Sequence, residues 1–274
     1  MRARLARLLA SDGRCLDVAI DHGIFNTPGF LGGIENMARA VDTIVEAGPD
    51  AVQLAPGQVG LLQDRSGPKP ALVYRADVAN VYGPNPPPEL FCELISNPVE
   101  RAVQADAACL VIFMLFIPDQ TELHRQCVQN LCDVKPECER LGMPLMVEPI
   151  AMRPDGAGGY AVEGDADTIV HLVRQSVELG ADVLKVDPTR DLAEYPRVIE
   201  TAGDRPVLVR GGGKASEEVI FRRTVEVMAT GAAGIVYGRN IIQHEKPSAI
   251  TRAFMAIVHD GAGVSRAMEI LRDG

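Results

Sequence analysis

The chain has 274 residues, which is enough for one large α/β domain or two small ones. Hydrophobic residues make up 47% of it but aromatic residues only 4%, so small aliphatic side chains must fill a substantial core. The formal net charge of −10, without any basic run, argues against binding to nucleic acid or to an anionic membrane surface.

The N-terminal stretch predicts a short amphipathic helix from Arg2 to Leu9 rather than a signal peptide, because it lacks a long apolar segment and a small-residue cleavage site. No stretch approaches the roughly 18–20 apolar residues of a membrane helix. We therefore expect a soluble, cytoplasmic protein. The six cysteines form no CxxC pair. His124, Cys127 and Cys132 are possible metal ligands, but a helix would place positions five apart on different faces, so we expect structural thiols and no metal.

Short apolar runs alternate with longer amphipathic ones, which is typical of repeated βα units. The predicted strands are Leu16–Ile20, Ala51–Leu54, Ala71–Arg75, Cys109–Phe113, Leu145–Glu148, Val183–Val186, Val207–Arg210 and Gly234–Tyr237. The predicted helices are Ile34–Ala47, Pro98–Ala105, Gln120–Arg140, Ala166–Leu179, Ser216–Thr230 and Ile241–His259, with another around Val264–Leu271. About eight such units predict a single-domain α/β TIM barrel over residues 1–274, and a doubly wound open sheet is the alternative. The stretches Tyr82–Glu89 and Arg153–Asp165 are predicted to be long loops after strands, on the face where barrel active sites lie.

Lys185 lies at the end of the predicted sixth strand, in the run GADVLKVDP. Alternation along a strand places Val183 and Lys185 on one face and Leu184 and Val186 on the other, so in a barrel Lys185 would point into the interior. Desolvation there disfavours the charged form of an amine, and a free amine can attack a ketone to form a Schiff base. The alternative is a strand-end lysine whose ammonium group reaches water.

Polar residues end several other predicted strands, and in a barrel those positions are candidates for chemistry. Strand one runs into Asp21 and His22, strand five ends in Glu148, and strand seven ends in Arg210. His22 is either a substrate contact or a hydrogen-bonded loop histidine.

Two glycine-containing turns follow strands seven and eight and predict a phosphate site. The first is the run Gly211–Gly213 followed by Lys214, and the second is Gly238 followed by Arg239. Glycine lets backbone amides approach an anion, and the loops after these two strands commonly bind phosphate in TIM barrels. Tight turns also use glycine, so it is the pairing of two such turns with cations that favours phosphate.

Four segments, in this order, resemble the archaeal-type class I fructose-bisphosphate aldolase family: IDHGI (20–24), GADVLKVD (180–187), RGGGKASEE (210–218) and GAAGIVYGRNIIQHEKPSAITRAFMAIVHDG (231–261). The resemblance covers nearly the whole chain. It implies a TIM barrel with Lys185 as the Schiff-base lysine and Asp21 as its polar catalytic partner. It also implies phosphate binding by Gly211, Gly212, Lys214, Gly238 and Arg239, and a homo-oligomer such as a pentameric ring or a decamer.

The sequence departs from this family at the end of strand five. Many members carry a tyrosine acid/base there, whereas this chain has Glu148-Pro149-Ile150, similar to the tagatose-bisphosphate and sulfo-sugar aldolase branches. A carboxyl at an apolar strand end is expected to have a raised pKa and to exchange protons near neutrality. The alternative is that Glu148 only forms an ion pair with Lys185 or Arg210. The difference puts simple fructose-bisphosphate cleavage in doubt.

The sequence therefore predicts a metal-independent class I aldolase, a lyase, acting on a phosphorylated ketose or keto-acid, with dihydroxyacetone phosphate as one half. Lys185, Glu148 and Asp21 are the expected catalytic residues, the covalent imine needs no cofactor, and the partner is a small sugar phosphate or phosphorylated keto compound. One alternative is an aldol-type synthase, a transaldolase-like enzyme or a coenzyme A-dependent thiolase on a phosphorylated dione. Another is a phosphosugar-binding sensor barrel without activity.

Overall fold

The computed structural model describes residues 1–25, 27–211 and 213–274. Its strands are β1 (Cys15–Ala19), β2 (Ala51–Leu54), β3 (Ala71–Arg75), β4 (Asp77–Ala79), β5 (Cys92–Leu94), β6 (Cys109–Phe116), β7 (Leu145–Pro154), β8 (Tyr160–Val162), β9 (Val183–Val186), β10 (Val207–Arg210) and β11 (Gly234–Tyr237). Its helices are α1 (Arg2–Leu8), α2 (Met37–Ala47), α3 (Gly60–Gln63), α4 (Pro98–Gln104), α5 (Thr121–Leu141), α6 (Ala166–Glu178), α7 (Tyr195–Ala202), α8 (Glu217–Ala229), α9 (Arg239–Ile242), α10 (Pro247–Asp260) and α11 (Val264–Asp273).

Eight parallel strands close into a ring. Their order is β1-β2-β3-β6-β7-β9-β10-β11, with β11 paired to β1 and β6 paired to β7, and helices lie outside. This is a (β/α)₈ TIM barrel, as the sequence predicts. The open-sheet alternative is wrong, because the β6–β7 pairing leaves no edge in the ring.

Alternation of side chains divides the apolar core into two layers. A small inner cluster fills the ring with short or medium side chains such as Cys15, Val73 and Val183. A much larger cluster, which includes Leu184 and Val186, packs between the strands and the helices. Lys185 therefore shares the inward face of its strand with Val183, as alternation predicts.

Helix α1 closes the N-terminal end of the ring. Leu8 is fully buried in the inner cluster, and Leu5 and Leu9 pack against it. The helix is thus half-buried, and its exposed face carries Arg2 and Arg7.

The structure corrects the sequence prediction mainly outside the ring. The predicted loop Arg153–Asp165 contains the end of β7 and the antiparallel strand β8, and the predicted loop Tyr82–Glu89 lies between the paired strands β4 and β5. Helix α7 was not predicted. The predicted helix Ile241–His259 is two helices, α9 and α10, because Pro247 starts α10 and holds the preceding residue outside the helical region.

Candidate active site

Lys185 lies inside the C-terminal end of the barrel and is 4% exposed. Its Nζ atom is 3.1 Å from Oε1 of Glu148 and donates a hydrogen bond to Oε1 of Gln53 at 3.2 Å. The alternative that the ammonium group reaches water is therefore wrong. The amine is held inside the barrel by one carboxylate and one amide.

Glu148, on β7, accepts from three cations. Its Oε2 atom is 2.5 Å from Nη2 of Arg75, and its Oε1 atom is 3.0 Å from Nε of Arg210 as well as close to Lys185. Burial by itself raises the pKa of this carboxyl, but the charges of Lys185, Arg75 and Arg210 outweigh burial and lower the pKa below its ordinary value. The expectation of a raised pKa is wrong for this reason, and Glu148 is an ionised partner of Lys185.

Arg75 is the centre of the buried charges, although the sequence did not mark it as a site residue. Its guanidinium is 1% exposed and contacts Asp21 at 2.8 Å, Asp77 at 3.0 Å and Glu148 at 2.5 Å. Its Cζ atom also lies 4.1 Å from the ring centroid of Phe113. A planar fork with several donors suits this bridging of carboxylates. Arg75 thus fixes the positions of both predicted catalytic carboxylates.

Asp21 follows β1 and is buried beside Lys185. Its Oδ2 atom accepts from Nε2 of Gln53 at 2.6 Å and from Nε of Arg75 at 2.8 Å. Burial raises the pKa of Asp21, but Arg75 and Lys185 lower it further, so that the pKa lies below its ordinary value. Asp21 is therefore ionised at neutral pH and able to accept a proton.

Asp17 and Ala19 lie on the same face of β1, and Asp17 is two residues nearer to the N-terminal end of the strand. Asp17 is fully buried. Neither of its carboxyl oxygens has a hydrogen-bond partner among the described residues. Burial, with Asp21 and Glu148 nearby, raises its pKa to about 7 despite the opposing charges of Lys185 and Arg75. The protonation of Asp17 therefore changes near neutrality.

Arg210 ends β10 and forms a second bridge. Its Nη1 atom lies 3.0 Å from Oδ2 of Asp187, its Nε atom contacts Glu148, and its Nη2 atom donates to the Tyr82 hydroxyl at 3.3 Å. Arg210 lines the cavity, but these three partners occupy most of its N–H donors. The structure thus gives it a role in holding Glu148 and Tyr82 in place.

The turns after β10 and β11 lie side by side at the mouth of the barrel, and Gly211, Gly213, Gly238 and Arg239 line one cavity there. An added Cβ on Gly238 would lie 2.4 Å from the Ala19 carbonyl oxygen, so close packing alone already requires this glycine. The predicted phosphate ligand Gly212 lies outside the described residues.

Arg239 and Lys214, the two predicted phosphate cations, are placed differently. Arg239 is half-buried in the main cavity, with its Cζ atom 4.5 Å from the Phe30 ring centroid, and it makes no ion pair with a described residue. Burial and the charge of Arg210 lower its pKa, which reflects a cation without a counter-ion. Lys214 is exposed and lines a separate, smaller cavity beside α9. The structure thus brings Arg239, but not Lys214, to the main cavity.

His22 lines the same cavity and is 7% exposed. Burial lowers its pKa, and the positive charge of Arg239 adds to this, so the imidazole is neutral at pH 7. Its Nε2 atom has no hydrogen-bond partner among the described residues. The ring is therefore free to exchange one hydrogen bond with a bound molecule.

The main cavity has a volume of about 370 Å³ and opens at the C-terminal end of the barrel. Lys185, Glu148, Asp21, Arg210 and Arg239 all line it. With His22, Gly211 and Gly238, eight of the ten predicted site residues lie in the wall of this cavity, in agreement with their placement at strand ends. Met152, Tyr160 and Val162 of the β7–β8 hairpin also line it, so the predicted loop Arg153–Asp165 does border the site.

Four residues around the lysine were missed by the sequence reasoning: Asp17, Gln53, Arg75 and Asp187. Asp17 and Gln53 are single polar residues inside the apolar strands CLDVA and AVQL, and Arg75 and Asp187 stand at strand ends. An inward-facing polar residue in a buried parallel strand is unusual, and that signal was available.

Among residues 1–25, 27–211 and 213–274, no group of three or more His, Cys, Asp or Glu side chains is arranged to hold a metal ion. The helices of this part of the chain include none with the length and apolarity that spanning a membrane requires.

The fold and the site place the protein in the class of TIM barrels that have a buried lysine and carboxylates at the C-terminal end of the barrel. The sequence profile of the DeoC/LacD family aldolases matches residues 15–244. The chain is 32% identical over 274 residues to an uncharacterized aldolase of Saccharolobus solfataricus, with 98% of each covered. It is 29% identical to a 2-amino-3,7-dideoxy-D-threo-hept-6-ulosonate synthase of Halobacterium salinarum, covering 97% of this chain and 94% of that one.

Among solved structures, a Schiff base-forming fructose-1,6-bisphosphate aldolase superposes with a TM-score of 0.76 at 24% identity, covering 94% of this chain and 99% of that one. This likeness supports the fold. The match to the family profile and the relative from Saccharolobus solfataricus show the family of this chain. The chain belongs to the DeoC/LacD aldolase family and is an enzyme of the lyase class.

Proposed function

We propose that Lys185 forms a Schiff base with the carbonyl group of a phosphorylated ketose or keto-acid, and that dihydroxyacetone phosphate is one half of the substrate. The observation that carries this proposal is the contact between the buried Lys185 amine and Glu148 at 3.1 Å, in the wall of a cavity that also presents Arg239. An amine next to a fixed base is the arrangement of an activated nucleophile.

Glu148 takes a proton from the Lys185 ammonium group as the amine attacks the carbonyl carbon. Its lowered pKa means that it is ionised and ready to accept before the attack. It then returns the proton to the carbinolamine hydroxyl, water leaves, and a protonated imine remains. Once the positive charge has moved from the ammonium to the substrate, Arg75 and Arg210 keep the carboxylate in position.

Carbon–carbon cleavage follows because the protonated imine accepts an electron pair. The bond beyond the neighbouring carbon breaks, its electrons form an enamine, and the leaving half becomes a carbonyl compound as its hydroxyl loses a proton. Asp21 is the proposed acceptor of that proton, since it is ionised and both of its described side-chain hydrogen bonds fall on Oδ2. Synthesis is the same sequence in reverse.

The phosphate group binds at the turns after β10 and β11. Arg239 supplies a positive charge that no described carboxylate neutralises, and Gly211, Gly213 and Gly238 border the same part of the cavity. A half-buried arginine without a counter-ion favours an anion at this place. The cation then holds the carbonyl carbon of the substrate within reach of Lys185.

Borohydride trapping tests the proposal. Reduction in the presence of dihydroxyacetone phosphate should fix a covalent adduct on Lys185, located by peptide mass spectrometry. Lys185→Met should give no adduct and no turnover, whereas Lys246→Met, at an exposed lysine outside the cavity, should behave as the wild type. Glu148→Gln should slow adduct formation by roughly 10²–10⁴-fold, the usual size of an acid–base contribution. Turnover of a substrate without any adduct on Lys185 would contradict the mechanism.

The relative from Halobacterium salinarum supports a second candidate, in which the same lysine serves the synthesis of a ketose acid. A donor screen distinguishes the candidates. Release of dihydroxyacetone phosphate from a sugar phosphate supports the cleaving aldolase, and product formation only with an added aldehyde acceptor supports a synthase. Acetyl-coenzyme A formation would indicate a thiolase. Thermal stabilisation by sugar phosphates in both wild type and Lys185→Ala, without turnover, would indicate a sensor.

A further inference from the structure

The main cavity has an aromatic wall formed by Phe25, Phe30, Tyr82 and Phe113. The Phe25 ring lies 4.7 Å from Tyr82 and 5.7 Å from Phe113, and Phe30 lies 5.7 Å from Tyr82, measured between ring centroids. These distances are those of packed aromatic pairs. Three separate parts of the chain contribute the rings, so the wall is a feature of the assembled barrel mouth and not of one loop.

The wall begins beside the phosphate turns, where the Phe30 ring centroid lies 4.5 Å from the Arg239 Cζ atom, and extends from there across the cavity. Phe113 belongs to β6, which stands opposite β11 in the eight-stranded ring, and Met152 and Val162 of the β7–β8 hairpin continue the apolar surface from the next strand. The cavity thus has a cationic end, at Arg239, and an apolar end. A substrate held by its phosphate at the first end extends its other half toward the second.

Most of the described polar groups between the two ends are already occupied. Arg75 binds three carboxylates, Arg210 binds Glu148, Asp187 and Tyr82, and both polar atoms of the Gln53 amide are used, by Lys185 and Asp21. The Tyr160 hydroxyl accepts from Gln120 at 3.4 Å, and Asp21 is the proposed acceptor of the proton from the reacting hydroxyl. Hydroxyl groups on the carbons beyond the reacting one would lose water and gain few partners, and buried unpaired hydroxyls are costly.

Three polar atoms in the described part of this wall remain available. Nε2 of His22 has no partner. The Tyr82 and Tyr160 hydroxyls accept from Arg210 and Gln120, and the hydrogen of each is free to donate. Together they suit a single oxygen, such as the carbonyl oxygen of an aldehyde. They do not suit a chain that carries a hydroxyl on every carbon.

We infer that the second half of the substrate is a short apolar aldehyde, alkyl or aryl, rather than a polyhydroxylated sugar fragment. The inference rests on the proposed attachment of the first half to Lys185. In the synthetic direction the enamine carbon bonds to the aldehyde carbon, the aldehyde oxygen takes up a proton, and water hydrolyses the imine to release Lys185. No oxidant, reductant or further reactant is needed.

Kinetics with matched acceptors tests the inference. Butanal and erythrose have four carbons each and differ in three hydroxyl groups. With dihydroxyacetone phosphate as donor, kcat/KM for butanal should exceed that for erythrose by about tenfold or more, the size of effect expected for hydroxyls left without partners. Phe25→Gln should narrow this ratio by adding a polar partner to the wall. Phe91→Gln, at an exposed phenylalanine outside the cavity, should keep the wild-type ratio. A ratio at or below one, or an unchanged ratio in Phe25→Gln, would overturn the inference.

A binding measurement separates this inference from the proposed function. Calorimetry on Lys185→Met, which cannot form an imine, should show hexyl phosphate binding about tenfold or more tightly than sorbitol 6-phosphate, and Phe25→Gln in the same background should reduce the difference. Equal or tighter binding of sorbitol 6-phosphate would overturn the apolar assignment. Absence of a borohydride adduct in the wild type would instead contradict the Schiff base, while the binding comparison still decides the character of the wall.

Discussion

Two arginines and four buried carboxylates surround the proposed nucleophile. Lys185, Arg75 and Arg210 face Glu148, Asp21, Asp77 and Asp187, and each cation contacts at least one of these carboxylates. Buried charges are stable only when such partners are present, and the loss of one partner leaves another charge uncompensated. The group contains one carboxyl more than it has cations. A further carboxylate in the same interior is therefore pushed toward its neutral form.

Asp17 is that further carboxyl, and it makes the stability of the protein depend on pH. Its pKa in the folded protein is raised to about 7, whereas in the unfolded chain it has the ordinary value of 3.8. Between these values the folded state holds a proton that the unfolded state has lost, so the free energy of unfolding falls as pH rises. The total loss from this group is roughly 4 kcal/mol at 1.36 kcal/mol per pH unit.

The Asp17→Asn variant should lack this contribution. We expect the free energy of unfolding of the variant, relative to the wild type, to rise by about 3–4 kcal/mol between pH 4 and pH 7 and to change little above that range. Urea unfolding at a series of pH values measures it. Asp204→Asn, at a fully exposed carboxyl, should show no such slope against the wild type. Parallel curves for Asp17→Asn and the wild type would mean that Asp17 does not hold a proton.

At the scale of single elements, helix α1 closes the N-terminal end of the barrel. Leu8 is fully buried among the inward side chains at the N-terminal end of the strands, far along the chain from Cys109 and other members of the same cluster. Arg7 also forms an ion pair, at a distance of 2.8 Å, with Asp106, which precedes β6 in the chain. That pair is exposed and contributes little. The buried leucine supplies most of the attachment.

The Leu8→Ala variant should lower the free energy of unfolding by about 2–5 kcal/mol, since it removes a fully buried side chain and leaves a cavity. Thermal and urea denaturation measure the loss. Leu31→Ala, at a leucine that is 42% exposed, should change stability by less than about 0.5 kcal/mol. A Leu8→Ala variant as stable as the wild type would show that α1 is not anchored at the barrel end.

The β7–β8 hairpin extends the wall of the site beyond the ring of barrel strands. Its turn is organised by Asp155, whose Oδ1 atom accepts from the backbone of Ala157 at 2.7 Å and of Gly159 at 2.9 Å. The hairpin carries Tyr160 and Val162 to the cavity wall. A stretch rich in glycine thus forms ordered structure, because the strand before it continues beyond the barrel and offers a free edge for pairing.

At the scale of the whole molecule, the association of chains stays a prediction. The structure leaves a few large apolar side chains exposed, among them Phe91 at 39% and Val219 at 49%. Single exposed apolar residues are normal on a protein surface, so the expected association comes from the family resemblance. Light scattering at several concentrations should give a mass of five or ten times the 29.4 kDa of one chain, for a pentameric ring or a decamer. A mass of one chain at every concentration would contradict it.

The sequence by itself determined the ring of strands. Five of the eight predicted strands, such as Val183–Val186, have the same bounds in the structure, and the remaining three differ at one or both ends. Buried parallel strands are continuous apolar runs, and helices have their own period, so both signals are local. The inward orientation of Lys185 follows from the same local alternation, and so does the position of Glu148 and Asp21 at strand ends.

Only the tertiary structure decided which of these residues meet. Arg75 on β3 and Lys185 on β9 approach the same Glu148 because the ring closes between β6 and β7. These residues are far apart in the sequence, so no pattern within one strand or helix predicts that their side chains meet. The same closure decides that Glu148 is ionised, that Asp17 is not fully so at neutral pH, and that Arg239 but not Lys214 faces the cavity. Chemical type and strand position are written in short stretches of the chain, whereas protonation depends on charges that folding brings together from distant strands.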